Sequence, residues 1–374
     1  MSVYFDHNAT TPLHPAAREA WLAASERFWH NPSSLYQEAA ATRRRLEAAR
    51  EELGELLGCG PERIVFTSGA TESNNALFRV LSVRLPQDKP VLSSGMEHPS
   101  VATPLRHWFP GRIREINALP DTQLDWGNFE HQVHEHAPSL VTVMAASNES
   151  GTLAPWVQLA EYCQAAGVPF HTDASQWIGK LPTRNLGQCA YVSGSAHKFG
   201  GPKGCGFLIL SHEDEAVSLQ LGGHQENGRR AGTENYPAIA AMVAALVART
   251  PQLDACSREQ SLWRDAFTDA VCHAIPGTRL VAAHAPRLWN TAMLLMPGHD
   301  NRKWLARLSQ AGFAISTGSA CSKGDGSAQV LQAIGTAPED MRRALRISGG
   351  WESTAEDWAS LATAIHTVWR QLES

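Results

Sequence analysis

The sequence predicts an α/β protein built on a mostly parallel sheet, with a second, smaller α/β unit after it. Short apolar runs rich in Val, Ile, Leu and Phe recur through the middle of the chain, and stretches with helical spacing alternate with them. Strand–helix–strand alternation of this kind gives a parallel sheet covered on both faces. After Pro237 the pattern turns helical and then returns to strand and helix.

In order, the amino-terminal part holds one strongly helical segment, Gln37–Leu57, dense in Ala, Arg and Glu. Strands are predicted at Ile64–Thr67, Val91–Ser94, 140–144, 169–172, 191–193 and 207–210, with helices over 72–85 and 156–166 between them. Long helices follow over 238–247 and 258–274, separated by a linker at 250–254. The second unit has a strand at Thr291–Leu295 and a helix over 302–311. Ser353 with Glu356 makes a capping box for a last helix that runs to about Leu372. Residues at the carboxyl ends of parallel strands line the ligand crevice, so the chemistry belongs there.

Composition narrows the function classes. Of 374 residues, 43% are hydrophobic and 18% charged, enough to bury a sizeable core. The net charge of −5 is spread along the chain, without the basic stripe of a nucleic-acid binder. The opening MSVYFDHNATTP has neither the charged nor the apolar region of a signal peptide, and no apolar run has the length of a membrane span. Seven scattered cysteines, odd in number and without metal-site spacing, favour free thiols in a reducing compartment. A cytoplasmic protein is the expectation.

Three segments carry chemistry. Strand Ile64–Thr67 runs into Ser68-Gly69-Ala70-Thr71 and a helix. Free backbone N–H groups and the positive helix end suit an anion there, although a plain helix cap has the same sequence. Lys198 follows a strand among small residues and glycines, where desolvation makes an amine a usable nucleophile. Ser195 and His197 beside it can donate to a phosphate; a solvent-facing turn lysine is the alternative. Asp173, in His171-Thr172-Asp173-Ala174-Ser175-Gln176, ends the strand at 169–172. A carboxylate there can pair with a protonated pyridine nitrogen and Gln176 can reach a phenolic oxygen, or Asp173 can simply cap a helix. Phosphate donors, a desolvated lysine and a strand-end aspartate converge on pyridoxal 5'-phosphate.

With these segments in hand, the chain resembles the cysteine desulfurases of the class V aminotransferase family, the NifS/IscS-like group. The resemblance runs through Tyr4-Phe5-Asp6-His7-Asn8-Ala9-Thr10-Thr11-Pro12, Asn31-Pro32-Ser33-Ser34, Phe66 to Asn74, Glu97-His98 and Asn148-Glu149-Ser150-Gly151-Thr152. It continues through Asp173 to Gln176, Ser195 to Lys198, Gly232-Thr233-Glu234-Asn235, Ser316 to Ser322 and Arg346-Ile347-Ser348. It implies the aspartate-aminotransferase-type fold of pyridoxal-phosphate transferases (fold type I). A large cofactor domain with a mostly parallel seven-stranded sheet would occupy 15–250, and a small domain 1–14 with 251–374. Lys198 would hold the cofactor covalently, Asp173 its ring nitrogen, and Gln176 and Asn148 its phenolic oxygen. Ala70, Thr71, Ser195 and His197 would hold the phosphate, with Thr233 reaching the phosphate of the other subunit in a homodimer. His98 would stack on the ring and move protons, and Arg346 would clamp the carboxylate of L-cysteine.

Cys321 lies in Ser319 to Ala328, a run of small and polar residues that predicts an exposed, mobile loop with Lys323 favouring the thiolate. The resemblance makes Cys321 the residue that takes the sulfur as a persulfide and passes it to an acceptor protein, for iron–sulfur cluster assembly or thiolation. Cys205, close to Lys198 in sequence, is the one other cysteine near the chemistry. Tyr36, Asn227, Ala231, Ser147 and Gly350-Trp351 depart from the family's usual residues. The rival readings are a selenocysteine lyase or another carbon–sulfur lyase on the same fold, and a non-catalytic scaffold for sulfur transfer. Cys321 separates desulfurase from lyase, and intact Lys198, Asp173, His98 and Cys321 argue against a scaffold.

Overall fold

Strands β2 (Ile64–Thr67), β3 (Val91–Ser94), β4 (Ile113–Ile116), β5 (Leu140–Thr142), β6 (Phe170–Asp173), β7 (Tyr191–Ser195) and β8 (Gly206–Ile209) form one seven-stranded sheet in the computed structural model, after a short β1 (Val3–Tyr4). The structure describes residues 2–214, 217–317 and 329–374. The sheet order is β2-β8-β7-β6-β5-β3-β4, and β8 alone runs against the rest. All its strands except β4 are buried along their full length, and most of them read as apolar or small-residue runs, β6 with its His171 and Asp173 excepted.

Helices α1 (Pro15–Arg27), α2 (Gln37–Leu57), α3 (Ala70–Arg84), α4 (Pro99–Trp108), α5 (Trp126–His136), α6 (Trp156–Ala165) and α7 (Tyr236–Arg249) accompany this sheet. One core joins Leu46, Leu53 and Leu57 of α2 to Val141, Val192, Phe207 and the buried side of α7. A second joins Leu77, Phe78 and Leu81 of α3 to Val65, Val91, Leu140 and Leu208.

Beyond α8 (Leu253–Ala274), strands β9 (Arg279–Leu280), β10 (Thr291–Leu295) and β12 (Ala344–Ser348) make an antiparallel sheet of order β12-β10-β9. Between them lie α9 (Asn301–Gln310), β11 (Phe313–Ala314), α10 (Gln329–Ala333) and α11 (Pro338–Met341), and α12 (Ala355–Glu373) closes the chain. Phe5, Phe267, Trp304, Trp358 and Leu361 share one core there. The amino terminus joins this region, since β1 pairs in parallel with β11 and Asp6 bridges Ser348.

Several sequence expectations shift. The linker at 250–254 is absent: Thr250–Gln252 forms a single 3-10 turn, with Pro251 in a first-turn position where it is tolerated, and α8 begins directly at Leu253. The capping box sits one residue later than expected. Ser353 Oγ already accepts from Gly350 N (2.9 Å), so Thr354 and Asp357 cap α12 reciprocally at 3.1 and 2.8 Å. The continuous helical run Tyr236–Ala274 does contain a stretch long and apolar enough, by length and composition, to cross a membrane, contrary to the sequence reading. Its apolar residues from α7, including Ile239, Met242, Val243 and Leu246, pack in the core beneath the sheet. The edge strand β4 escaped notice because its residues Arg114 and Glu115 are exposed and interrupt the apolar pattern.

Candidate active site

A cavity of ≈ 240 Å³ opens at the carboxyl ends of the central strands, where parallel sheets place their ligand sites. Three groups of residues build it.

The first is an anion cradle at the start of α3. Gly69 occupies the N-cap with φ of 148°, and no side chain caps the helix. That conformation is open to glycine, and a Cβ there would lie 3.1 Å from Ser195 Oγ. Close approach is also why residue 206 is glycine: a Cβ on Gly206 would meet Gly69 Cα at 2.5 Å. Ala70 N–H donates to Ser195 Oγ (3.0 Å), and Ala70, Thr71, Ser195 and His197 all line the cavity. Burial, then the charges of Lys198 and Lys203, pull the His197 imidazole down to about 4, so the ring is neutral at neutral pH.

The second group is a hydrogen-bonded chain behind the cavity. Asp173, the last residue of β6, accepts from Ser175 N at Oδ1 (2.9 Å) and from Asn74 Nδ2 at Oδ2 (3.1 Å). Asn74 also donates to Ser100 Oγ (3.1 Å), which lies 2.8 Å from His98 Nδ1. Ser100 N–H donates to that same nitrogen (3.1 Å), so a neutral His98 ring carries its proton on Nε2. Burial and then Lys198 lower the His98 pKa, while the Asp173 charge opposes them. Asp173 caps a turn, since no helix begins after it.

The third group surrounds the lysine. Lys198 Nζ donates to the carbonyls of Asn8 (2.6 Å) and Ala9 (2.9 Å) and faces the cavity at the end of a short 3-10 turn. Gln176 Nε2 donates to Asn8 O (2.9 Å), and Lys180 Nζ reaches both Gln176 Oε1 and Asn8 Oδ1, the latter at 3.0 Å. Asn148 lines the cavity, and its carbonyl accepts from Asn8 Nδ2 (3.2 Å) and Arg346 Nη1 (3.0 Å). Arg346, buried on β12, also pairs with Asp6 Oδ1 at 2.6 Å.

The structure therefore gathers Ala70, Thr71, His98, Asn148, Asp173, Gln176, Ser195, His197 and Lys198 around one cavity. Arg346 stands just behind Asn148. Thr233 is exposed and does not line this cavity. Cys321 lies outside the described residues. Cys205 is buried, and that burial pushes its thiol up to about 12, which disfavours the thiolate a nucleophile needs. Sequence reasoning assigned no role to Asn8, Asn74, Ser100 or Lys180. Asn8 and Asn74 lie inside the motifs that carry the resemblance, and Lys180 follows Gln176 by four residues in the turn after β6.

The donor set fits pyridoxal phosphate. Backbone N–H, hydroxyls and a neutral imidazole meet the phosphate's needs, a carboxylate suits the ring nitrogen and an amine suits the aldehyde carbon. Ser175 Oγ, buried at the cavity wall, has no hydrogen-bond partner among the described residues, so the cavity has polar capacity to spare for a bound group.

Comparison with known proteins gives the family. Residues 3–361 match the class V aminotransferases, and the chain belongs to that family. Similar proteins there include cysteine desulfurases. One from Sinorhizobium fredii is 34% identical over 99% of this chain and 97% of its own. The solved structure of a NifS-like protein superposes with a TM-score of 0.91 at 27% identity, covering 99% of this chain and 100% of the other. A structure described as SspA in complex with cysteine superposes at 0.79, with 27% identity over 93% of this chain and 98% of that one.

Proposed function

We propose that the protein is a cysteine desulfurase that converts L-cysteine to L-alanine and keeps the sulfur as a persulfide on Cys321. The observation that carries this reading is the convergence of Lys198, Asp173, His98 and the Ala70–Ser195 cradle on one cavity in a chain whose relatives are cysteine desulfurases. Pyridoxal phosphate bound in that cavity supplies an electron sink for breaking bonds next to an amino-acid α-carbon.

Ala70 N–H, Thr71, Ser195 and His197 would hold the phosphate, and Asp173 would keep the ring nitrogen protonated. Gln176 and Asn148 would serve the phenolic oxygen, while Lys198 would bind the cofactor through its amine and carry the substrate's α-proton. His98, with its proton on Nε2, shares in that transfer. Arg346 receives the substrate carboxylate, exchanging part of its contact with Asp6 for it. The Cys321 thiolate attacks the substrate sulfur, the Cβ–S bond breaks, and proton return releases alanine. An acceptor protein then takes the sulfur from Cys321, and Thr233 serves the phosphate of a second subunit in a homodimer. We place the small domain at 1–14 with 251–374, the large one at 15–250, and the enzyme in the cytoplasm.

The test is a single turnover of the yellow protein with L-cysteine, reading alanine and the mass of the Cys321 peptide. Alanine with a gain of one sulfur at Cys321, lost in Cys321→Ala, is the expected result. Pyruvate with free sulfide and no modified cysteine would replace this reading with a lyase.

A further inference from the structure

Lys180 is a lysine without a surface: it is 4% exposed, and the mechanism above does not use it. Its amine sits against Gln176 Oε1 and Asn8 Oδ1, and its carbonyl accepts from Trp289 Nε1 (2.9 Å), which fixes the segment against the second sheet region. We propose that Lys180 sets which end of the Gln176 carboxamide faces the cofactor, so that an N–H and not the oxygen meets the phenolic oxygen. The inference rests on the pyridoxal-phosphate reading and assigns Lys180 as a positioning residue.

The two ends of a carboxamide have nearly the same shape, so hydrogen-bond partners decide which way it points. Here both ends are committed. Gln176 Oε1 accepts from Lys180, and one N–H of Nε2 donates to Asn8 O at 2.9 Å. Reversal would set the Gln176 oxygen against the Asn8 carbonyl and take from the Lys180 N–H its acceptor on Gln176. Gln176 lines the cavity, so its second N–H is the group left for a ligand. Asn8 O also accepts from Lys198 at 2.6 Å, which links the amide's orientation to the cofactor-binding amine.

Lys180 needs no charge for this task. Burial, and then the neighbouring charges of Lys198 and Arg346, drive its pKa well below that of an ordinary lysine. His7, the other titratable group that senses it, is pulled down to about 3 by burial and then by Lys180. A neutral amine still has N–H groups to donate. An N–H on the phenolic oxygen stabilises its anionic form and lowers the pH at which the bound cofactor loses the proton shared with that oxygen. Removing the Lys180 donor leaves the Asn8 carbonyl alone to hold the amide, so the reversed orientation gains population and that midpoint rises.

The test is a pH titration of the visible absorption band of the loaded protein, which reads protonation and not turnover. Lys180→Met, which keeps the volume but has no donor, should raise the midpoint by about 1–2 units. Lys180→Gln, which keeps an N–H, should hold it near the wild-type value. In a Gln176→Leu background the Lys180→Met change should add nothing. An unmoved midpoint in folded Lys180→Met, equal rises in both variants, or additive shifts would each overturn the proposal. If Lys180→Met does not fold, the wild-type protein decides by nitrogen-15 NMR. One Gln176 amide proton should move downfield when the cofactor is loaded, and two unmoved protons would overturn the orientation. A protein that stays colourless with pyridoxal phosphate would overturn the functional reading as well.

Discussion

The Glu149 carboxylate accepts the backbone N–H of Val330 at 2.9 Å, tying the segment after β5 to the first turn of α10. Its other oxygen accepts from Gln329 N at 3.2 Å. Asn148, the preceding residue, lines the cavity and meets Arg346 through its carbonyl. One short stretch of chain therefore joins the cavity, Arg346 and the first described residues beyond Cys321.

Glu149→Ala leaves the two N–H groups without their acceptor, a loss of about 1.5–3 kcal/mol where one partner is charged. Persulfide formation at Cys321 should slow by at least tenfold, while affinity for pyridoxal phosphate, measured by fluorescence titration, stays within a factor of two or so. Equal losses in both would mean that Glu149 supports the cofactor pocket instead.

His98→Ala should keep the visible cofactor band and lose about 10²–10⁴ in alanine formation, the range expected for a lost acid–base group. The pH profile carries a sign. Burial lowers the His98 pKa, so the neutral ring persists to lower pH than an ordinary imidazole. The acid limb of the wild-type rate should therefore lie below about 6.5. A limb at or above that value would assign it to another group.

Arg50 and Glu226 form a two-pronged ion pair at 2.7 and 2.8 Å with both side chains buried, and Glu226 also accepts from Phe66 N (2.9 Å) just before the cradle. Arg50→Met strands a buried carboxylate and should cost about 3–5 kcal/mol in denaturant unfolding. The double variant Arg50→Met/Glu226→Met should recover part of that loss, because the stranded charge is gone.

Much of the site could be read before any coordinates, and the reason is geometric. Asp173 and Ser195 stand at ends of buried strands, Lys198 three residues further on, and Ala70 and Thr71 open a helix after another. Local sequence declares such positions. The supporting bonds are not local. Asn74 reaches Asp173 across 99 residues, and Arg346 reaches Asp6 across 340, so their pairing depends on the closed fold. Lys180 escaped for a different reason. As a charged residue one turn beyond Gln176 it has the sequence appearance of a solvent-facing lysine, and only its enclosure by Asn8, Gln176 and Trp289 reveals otherwise. Thr354 took the cap expected of Ser353 because the Ser353 hydroxyl was already engaged with Gly350.

Glu97, beside His98, supplies a last prediction, on stability. It is buried just past β3, and its Oε1 accepts from Met144 N (2.7 Å) and Ser94 Oγ (2.9 Å), while Oε2 has no partner among the described residues. Burial, reinforced by the Asp173 charge, pushes its carboxyl up to about 8 against the two hydrogen bonds that oppose the shift. The folded state thus holds a proton that the unfolded chain releases near 4.5. Stability from this group is fully present below that value and is lost as pH rises towards about 8. Glu97→Gln keeps an acceptor for Met144 and has no proton to lose. Relative to wild type it should gain on the order of a few kcal/mol between pH 5 and pH 9, read as the difference between their urea unfolding free energies. Groups that titrate elsewhere in the protein cancel in that difference. Parallel curves for the two proteins across this window would show that Glu97 is ionised in the fold, and that the Asp173 side of the cavity tolerates a second negative charge.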